Sequence, residues 1–162
     1  MKAELDAIDW RILKELQGDG RMTNVELARR VGISAPPCLR RVRALEEAGV
    51  IAGYRALVNE KALAFDLTAF AMVGLASQSE AGLAAFQTKV MGWEIVRECY
   101  MLSGDIDFIL KCVAPDLDAF QSFLIDELTR APEVESVRTS LVIRRLKHEP
   151  AVPVPTTLTR DR

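Results

Sequence analysis

Arg40, Arg41 and Arg43 fall within four positions, and Arg55 follows shortly after. A guanidinium can grip a phosphate in a fork, or pair bidentately with the O6 and N7 edge of guanine. A second run, Leu102-Ser103-Gly104-Asp105-Ile106-Asp107, carries different chemistry. Glycine lets backbone amides approach a carboxylate closely, and carboxylates at 105 and 107 could answer an ammonium group. Those are the needs of an amino-acid zwitterion. An ordinary Gly-Asp turn has the same residues, and the sequence leaves both readings open. Little else is reactive. The one histidine is His148, and Cys38, Cys99 and Cys112 read as small packing thiols. No phosphate-binding loop, dinucleotide fingerprint, nucleophile elbow or zinc signature appears, so no catalytic residue and no metal ligand is nominated.

The arginines need an element to present them. Asp6 caps a helix with Ile8, Ile12, Leu13 and Leu16 at helical spacing, and Gly18 and Gly20 end it. Thr23 opens T-N-V-E, a capping-box pattern with Glu26, followed by Leu27, Ala28 and Val31. Gly32-Ile33 then turns into Ser34, the expected N-cap of a third helix with Pro36 and Pro37 in its first turn, stopping at Gly49. Short helix, tight turn, longer helix is the helix-turn-helix order. On the third helix Cys38, Val42 and Leu45 share a core-facing arc; Arg40, Arg43 and Ala44 point away, and Arg41 flanks the core stripe. An outward helix start without a bulky acid, followed by exposed arginines, suits a major groove. The plainer alternative is a solvated face on which Glu46 and Glu47 pair with the arginines.

The second half has another texture. Residues 50–58 look extended and 59–66 connect. Beyond them the pattern gives a strand over 67–75, a helix capped by Ser79, a hairpin of 96–102 with 106–113, a helix over 116–130 and a strand over 134–146. This βαββαβ order is the ferredoxin-like fold, making the chain α+β. The first strand is apolar on both sides, with Phe70 and Met72 on one and Leu67, Val73 and Leu75 on the other. Two helices cover one face of such a sheet, so the other is expected against a second copy.

Composition bounds the rest. The 162 residues are 49% apolar and 27% charged, which excludes a disordered or fibrous chain. No run reaches a membrane span, and no secretory signal is visible, so a reduced cytoplasm is expected. The net charge of −2 hides an asymmetry: ten basic against eight acidic residues up to position 55, eleven against fifteen beyond it. A local basic segment on an acidic protein can still meet nucleic acid, because screening makes surface fields local.

The run LDAIDWRILKELQGDGRMTNVELARRVGISAPPCLRRVRALEEAGVIAGYRALVN closely resembles the N-terminal half of the Lrp/AsnC, or feast/famine, family. RECYMLSGDIDFILKCVAPDLDAF, followed by APEVESVRTSLVIRRLK, resembles that family's C-terminal domain, so the likeness covers about residues 4–148. It implies a winged-helix-like helix-turn-helix domain over 1–54, a linker strand and connection over 55–66, a ferredoxin-like ligand-sensing and oligomerisation domain over 67–148, and a tail over 149–162. Expected partners are double-stranded DNA, a homodimer or higher oligomer such as an octamer, and an amino-acid effector, with no cofactor, no membrane, and a place in the cytoplasm on the nucleoid. The DNA-contact set is Ser34, Pro36, Pro37, Arg40, Arg41 and Arg43. The family's effector pocket, at a contact between dimers, maps to Met101, Gly104, Asp105, Asp107, Thr139 and Ser140. One departure is the tail with Pro150, Pro153 and Pro155, where family members commonly stop sooner. Two readings compete with regulation: an architectural DNA-organising protein without an effector, and an enzyme or enzyme subunit, against which the arginine-bearing helix counts.

Overall fold

The structure, a computed structural model, describes residues 4–149 and 152–154. It comprises two compact units, one built on residues up to Leu57, with which His148 and Glu149 group, and one over Val58–Lys147. The tail expected over 149–162 lies mostly outside the described residues. Among those residues, no helix is long and apolar enough to cross a membrane.

The first unit holds α1 (Ala7–Gly18), α2 (Asn24–Val31) and α3 (Ala35–Glu47). The full capping box is on α1: the Asp6 carboxylate accepts the N–H groups of Ile8 and Asp9, and the Asp9 carboxylate accepts that of Asp6. The box expected at Thr23 is half made. Its hydroxyl accepts the Glu26 N–H at 3.3 Å, but the Glu26 carboxylate turns to Arg29 and Arg30. Two guanidiniums on its own helix offer charge-assisted bonds that one exposed N–H cannot match. Gly32, at φ 78°, ends α2 in the left-handed conformation that glycine tolerates, and three residues separate α2 from α3. Ile12, Leu27, Ala28, Val31, Cys38 and Leu45 form the core. Residues 50–58 form no strand. Instead Val50 and Ile51 fold back to donate to the Leu45 carbonyl, satisfying the end of α3.

The ion pairs of Glu26, with Arg29 first and Arg30 second, hold its carboxyl down to about 2, from 4.5. A group whose pKa is lowered by folding contributes stability above its unfolded value and loses it as pH falls. The first unit should therefore weaken between pH 4.5 and about 2. Glu26→Gln should flatten that part of the curve, read as the urea midpoint across the window.

The second unit begins with a 3-10 turn at Lys61–Leu63 and continues through β1 (Leu67–Leu75), α4 (Glu80–Gly92), β2 (Val96–Met101), β3 (Phe108–Ala114), α5 (Leu117–Phe123) and β4 (Val134–Leu141). Antiparallel pairing gives the order β2-β3-β1-β4. The helix expected over 116–130 widens into a π turn at Leu124–Leu128, where the Thr129 N–H returns to the Leu124 carbonyl. The strand expected to run to 146 stops at Leu141, because its partner β1 begins at Leu67 and offers a last rung from Thr68 to Val142.

Ala69, Ala71, Val73 and Leu75 face the helices and are buried with Phe86, Val90, Phe108, Phe120, Phe123 and Leu128. The alanines leave room for rings: Phe86 sits 4.8 Å from Phe108 and 5.9 Å from Trp93, centroid to centroid. Trp93 is thus a packing residue. Val73 and Leu75 belong to this core and cannot be the partner face; Phe70 and Met72 are half-buried on the other side of the sheet.

Candidate nucleic-acid interface and ligand loop

The start of α3 is chemically bare. An N-cap side chain bonds the N–H of the second or third helical residue, and here those are Pro36 and Pro37, which have none. Ser34 accordingly makes no capping bond, and the residue is exposed. Arg40 and Arg43 are exposed and form no ion pair among the described residues. The pairing that Glu46 could have offered goes to Tyr54, whose hydroxyl donates to it at 2.9 Å. Burial, then this bond, pushes the Tyr54 hydroxyl up to about 12. Pro36, Leu39, Arg40, Arg43, Ala44 and Glu47 line one shallow groove of about 360 Å³. Sequence reasoning misses Leu39. Its spacing of one from Arg40 and four from Arg43 places it on the same exposed side, and it is 40% accessible.

Arg41 does something else. One terminal nitrogen lies 2.8 Å from Asp9 and 2.8 Å from Asp6, the two carboxylates of the α1 capping box. It fastens α3 to the start of α1, which sets it apart from Arg40 and Arg43 within the expected DNA-contact set. Asn24, also missed from sequence, donates from its side-chain amide to the Ala35 carbonyl at 2.8 Å and ties α2 to the start of α3.

In the second unit the 102–107 loop joins β2 to β3. Gly104 has φ 144°, which strains any residue with a side chain. Asp105 is exposed and its carboxylate makes no bond among the described residues. Asp107 is engaged throughout: one carboxylate oxygen accepts the Leu75 N–H at 2.7 Å and the other the Gln78 side-chain amide at 2.7 Å. Both carboxylate oxygens are thus bonded within the unit, which sets Asp107 apart from the unbonded Asp105 in the expected ligand set. Met101 ends β2, while Thr139 and Ser140 lie on β4, opposite Ala71 and Phe70. β2 and β4 are the two edges of the sheet, about 14 Å apart at three strand spacings. One chain does not gather these residues into one pocket.

Cys38 and Cys112 are buried, and Cys99 is exposed on β2. All three are free, and burial pushes Cys112 up to about 12. Among the described residues no group of His, Cys, Asp and Glu side chains could hold a metal.

A three-helix unit with unpaired arginines on its third helix, followed by a ferredoxin-like sheet with a glycine loop, defines a two-domain DNA-binding regulator. Residues 5–52 match the winged helix-turn-helix DNA-binding family, and residues 68–152 match the Lrp/AsnC ligand binding domain. The leucine-responsive regulatory protein of Rhizobium meliloti is 63% identical over 147 residues, covering 91% of this chain and 94% of that one. That of Escherichia coli K12 is 44% identical over 144 residues, covering 89% and 88%. The crystal structure of a Neisseria meningitidis transcriptional regulator in complex with L-Met superposes with a TM-score of 0.89 at 36% identity, covering 92% and 96%. The chain belongs to the Lrp/AsnC family: it is a DNA-binding transcription regulator with a ligand-binding domain, and not an enzyme.

Proposed function

We propose that this protein adjusts transcription in response to an amino acid, acting as a homodimer or larger assembly on chromosomal DNA in the cytoplasm. Arg40 and Arg43, unpaired on the exposed side of α3, carry the DNA half of this reading. Ser34, Pro36 and Pro37 bring the helix start close to the duplex, the serine hydroxyl supplying a phosphate contact that its own helix does not use. For the effector half, Met101, Gly104 and Asp105 of one chain meet Thr139 and Ser140 of another at a contact between dimers. The backbone at Gly104 approaches the ligand carboxylate and Asp105 answers its ammonium. The L-Met complex of the Neisseria regulator supports an amino-acid ligand, and the match to a ligand-binding domain speaks against an effector-free architectural role.

Thermal unfolding of the full chain with each of the twenty amino acids tests this. A ligand that binds the native state raises stability by mass action, by roughly 2.7 kcal/mol at a hundredfold excess over Kd. One or a few amino acids should raise Tm measurably. A flat response to all twenty removes the effector half and returns the architectural reading.

A further inference from the structure

Asp107 occupies a gap that the sheet itself creates. The β1–β3 ladder ends where Val73 faces Phe108, and the β1–β4 register slips between Gly74 and Leu75. The Leu75 N–H lies just past the last rung, and the Asp107 carboxylate takes it at 2.7 Å in place of a backbone carbonyl. The Asp107 N–H donates to the Val73 carbonyl at 3.0 Å, and its carbonyl accepts the Leu102 N–H at 2.8 Å, closing the loop across Gly104. The remaining carboxylate oxygen accepts the amide of Gln78, in the connection between β1 and α4, at 2.7 Å. Next to Gln78, Ser79 caps α4 by accepting the Gly82 N–H at 3.2 Å. A loop containing a glycine at positive φ would otherwise sample many shapes; one bond of Asp107 closes the loop on Leu102, two tie it to the end of β1 and one to the connection that leads into α4.

We propose that Gln78 and Asp107 form a latch that presets the 102–107 loop in the shape that receives an amino acid, Asp107 serving as a hydrogen-bond acceptor and not as the countercharge to an ammonium. The latch rests on the effector-loop reading above. Its contribution is preorganisation: a loop already ordered loses less freedom when a ligand arrives. Gln78 is a positioning residue here, acting through Asp107 and touching no ligand.

Four variants of the full chain separate the roles, each read by amide hydrogen exchange at Leu75 and Leu102 without ligand, and by calorimetric titration with L-methionine or, failing that, the amino acid that most raises the wild-type Tm. Gln78→Leu removes the amide while keeping bulk; exchange should quicken and amino-acid binding weaken, each about tenfold. Gln78→Glu sets a second carboxylate against Asp107 and should do at least as much. Asp107→Asn should stay near wild type in both readouts, because the new amide still accepts from Leu75 through its oxygen and donates to Gln78 once that side chain turns over. The double variant Gln78→Glu/Asp107→Asn restores a donor-acceptor pair and should recover what Gln78→Glu lost. Wild-type exchange in Gln78→Leu overturns the latch, as does a double variant that fails to recover. Loss of amino-acid binding in Asp107→Asn with unchanged exchange would instead make its charge the ligand contact. If no amino acid acts on the wild type, the effector reading falls, while exchange at Leu75 and Leu102 still decides the latch.

Discussion

Arg40→Ala and Arg43→Ala should each weaken binding to a selected operator fragment by about 1–3 kcal/mol where the side chain reads a base, roughly 5- to 150-fold. The expectation rests on what the two guanidiniums are not doing. Both are exposed, neither forms an ion pair among the described residues, and the nearby Glu46 is taken by Tyr54. Neither substitution breaks an ion pair within the protein, so weaker binding must reflect an interaction with DNA. Titration over a range of salt separates base reading from phosphate gripping. A base-reading arginine, once removed, lowers affinity for the operator more than for random duplex. A phosphate-gripping one lowers both alike and reduces the salt slope by about 0.9 per phosphate no longer neutralised. Arg41→Ala is the internal comparison: it breaks the tie to Asp6 and Asp9, so its effect should appear as a lower unfolding midpoint of the first unit. Wild-type affinity in both Arg40→Ala and Arg43→Ala at every salt concentration would place the DNA-facing surface elsewhere.

The contrast between Arg40 and Arg41 shows where sequence reading runs out. Local rules locate α1 to α3, because Asp6, Thr23 and Gly32 act on neighbours within a few residues. Helical periodicity also turns Arg40 and Arg43 outward. It cannot show that Arg41 meets carboxylates more than thirty residues upstream, Asp9 being 32 residues away, since no spacing rule links the start of one helix to the flank of another. Asp107 fails in the same way: it resembles a turn residue with a spare charge, yet its partners Leu75 and Gln78 lie 32 and 29 residues earlier. The ferredoxin-like order is legible from alternation and caps, whereas the end of β4 depends on where β1 begins. A strand's length belongs to the pair, not to the segment. Sequence likewise leaves two candidate partner faces on β1. Burial selects one, because Val73 is fully enclosed by the helices while Phe70 and Met72 are not.

That selected face yields the other large expected effect. Phe70 and Met72 share it with Ile109 and Val113 of β3, all half-buried, and with Lys111 opposite Phe70, whose ammonium is paired with Glu98. An antiparallel sheet covered by its helices on one side commonly carries polar residues on the other, so an apolar centre there fits a second copy. If a second copy covers this face, Met72→Lys should leave a monomer at micromolar concentration, measured by light scattering. Lysine is the decisive choice because Met72 stands beside Ile109 on one strand and Arg138 on the other, and neither can neutralise it. In a dimer the ammonium would be buried without a partner, at a cost that an isolated chain avoids by leaving it in water. The fold of each chain should survive, since position 72 is not part of the enclosed core, and circular dichroism checks this. DNA binding should then fall by at least as much as the larger single-arginine loss. Two helix-turn-helix units on one body reach their half-sites at a high effective concentration, and breaking that linkage removes roughly 10²–10⁴ in avidity. A Met72→Lys chain of dimeric mass with wild-type operator affinity would move the dimer contact off this face; a monomeric chain that still binds as tightly would show that one unit reads the site alone.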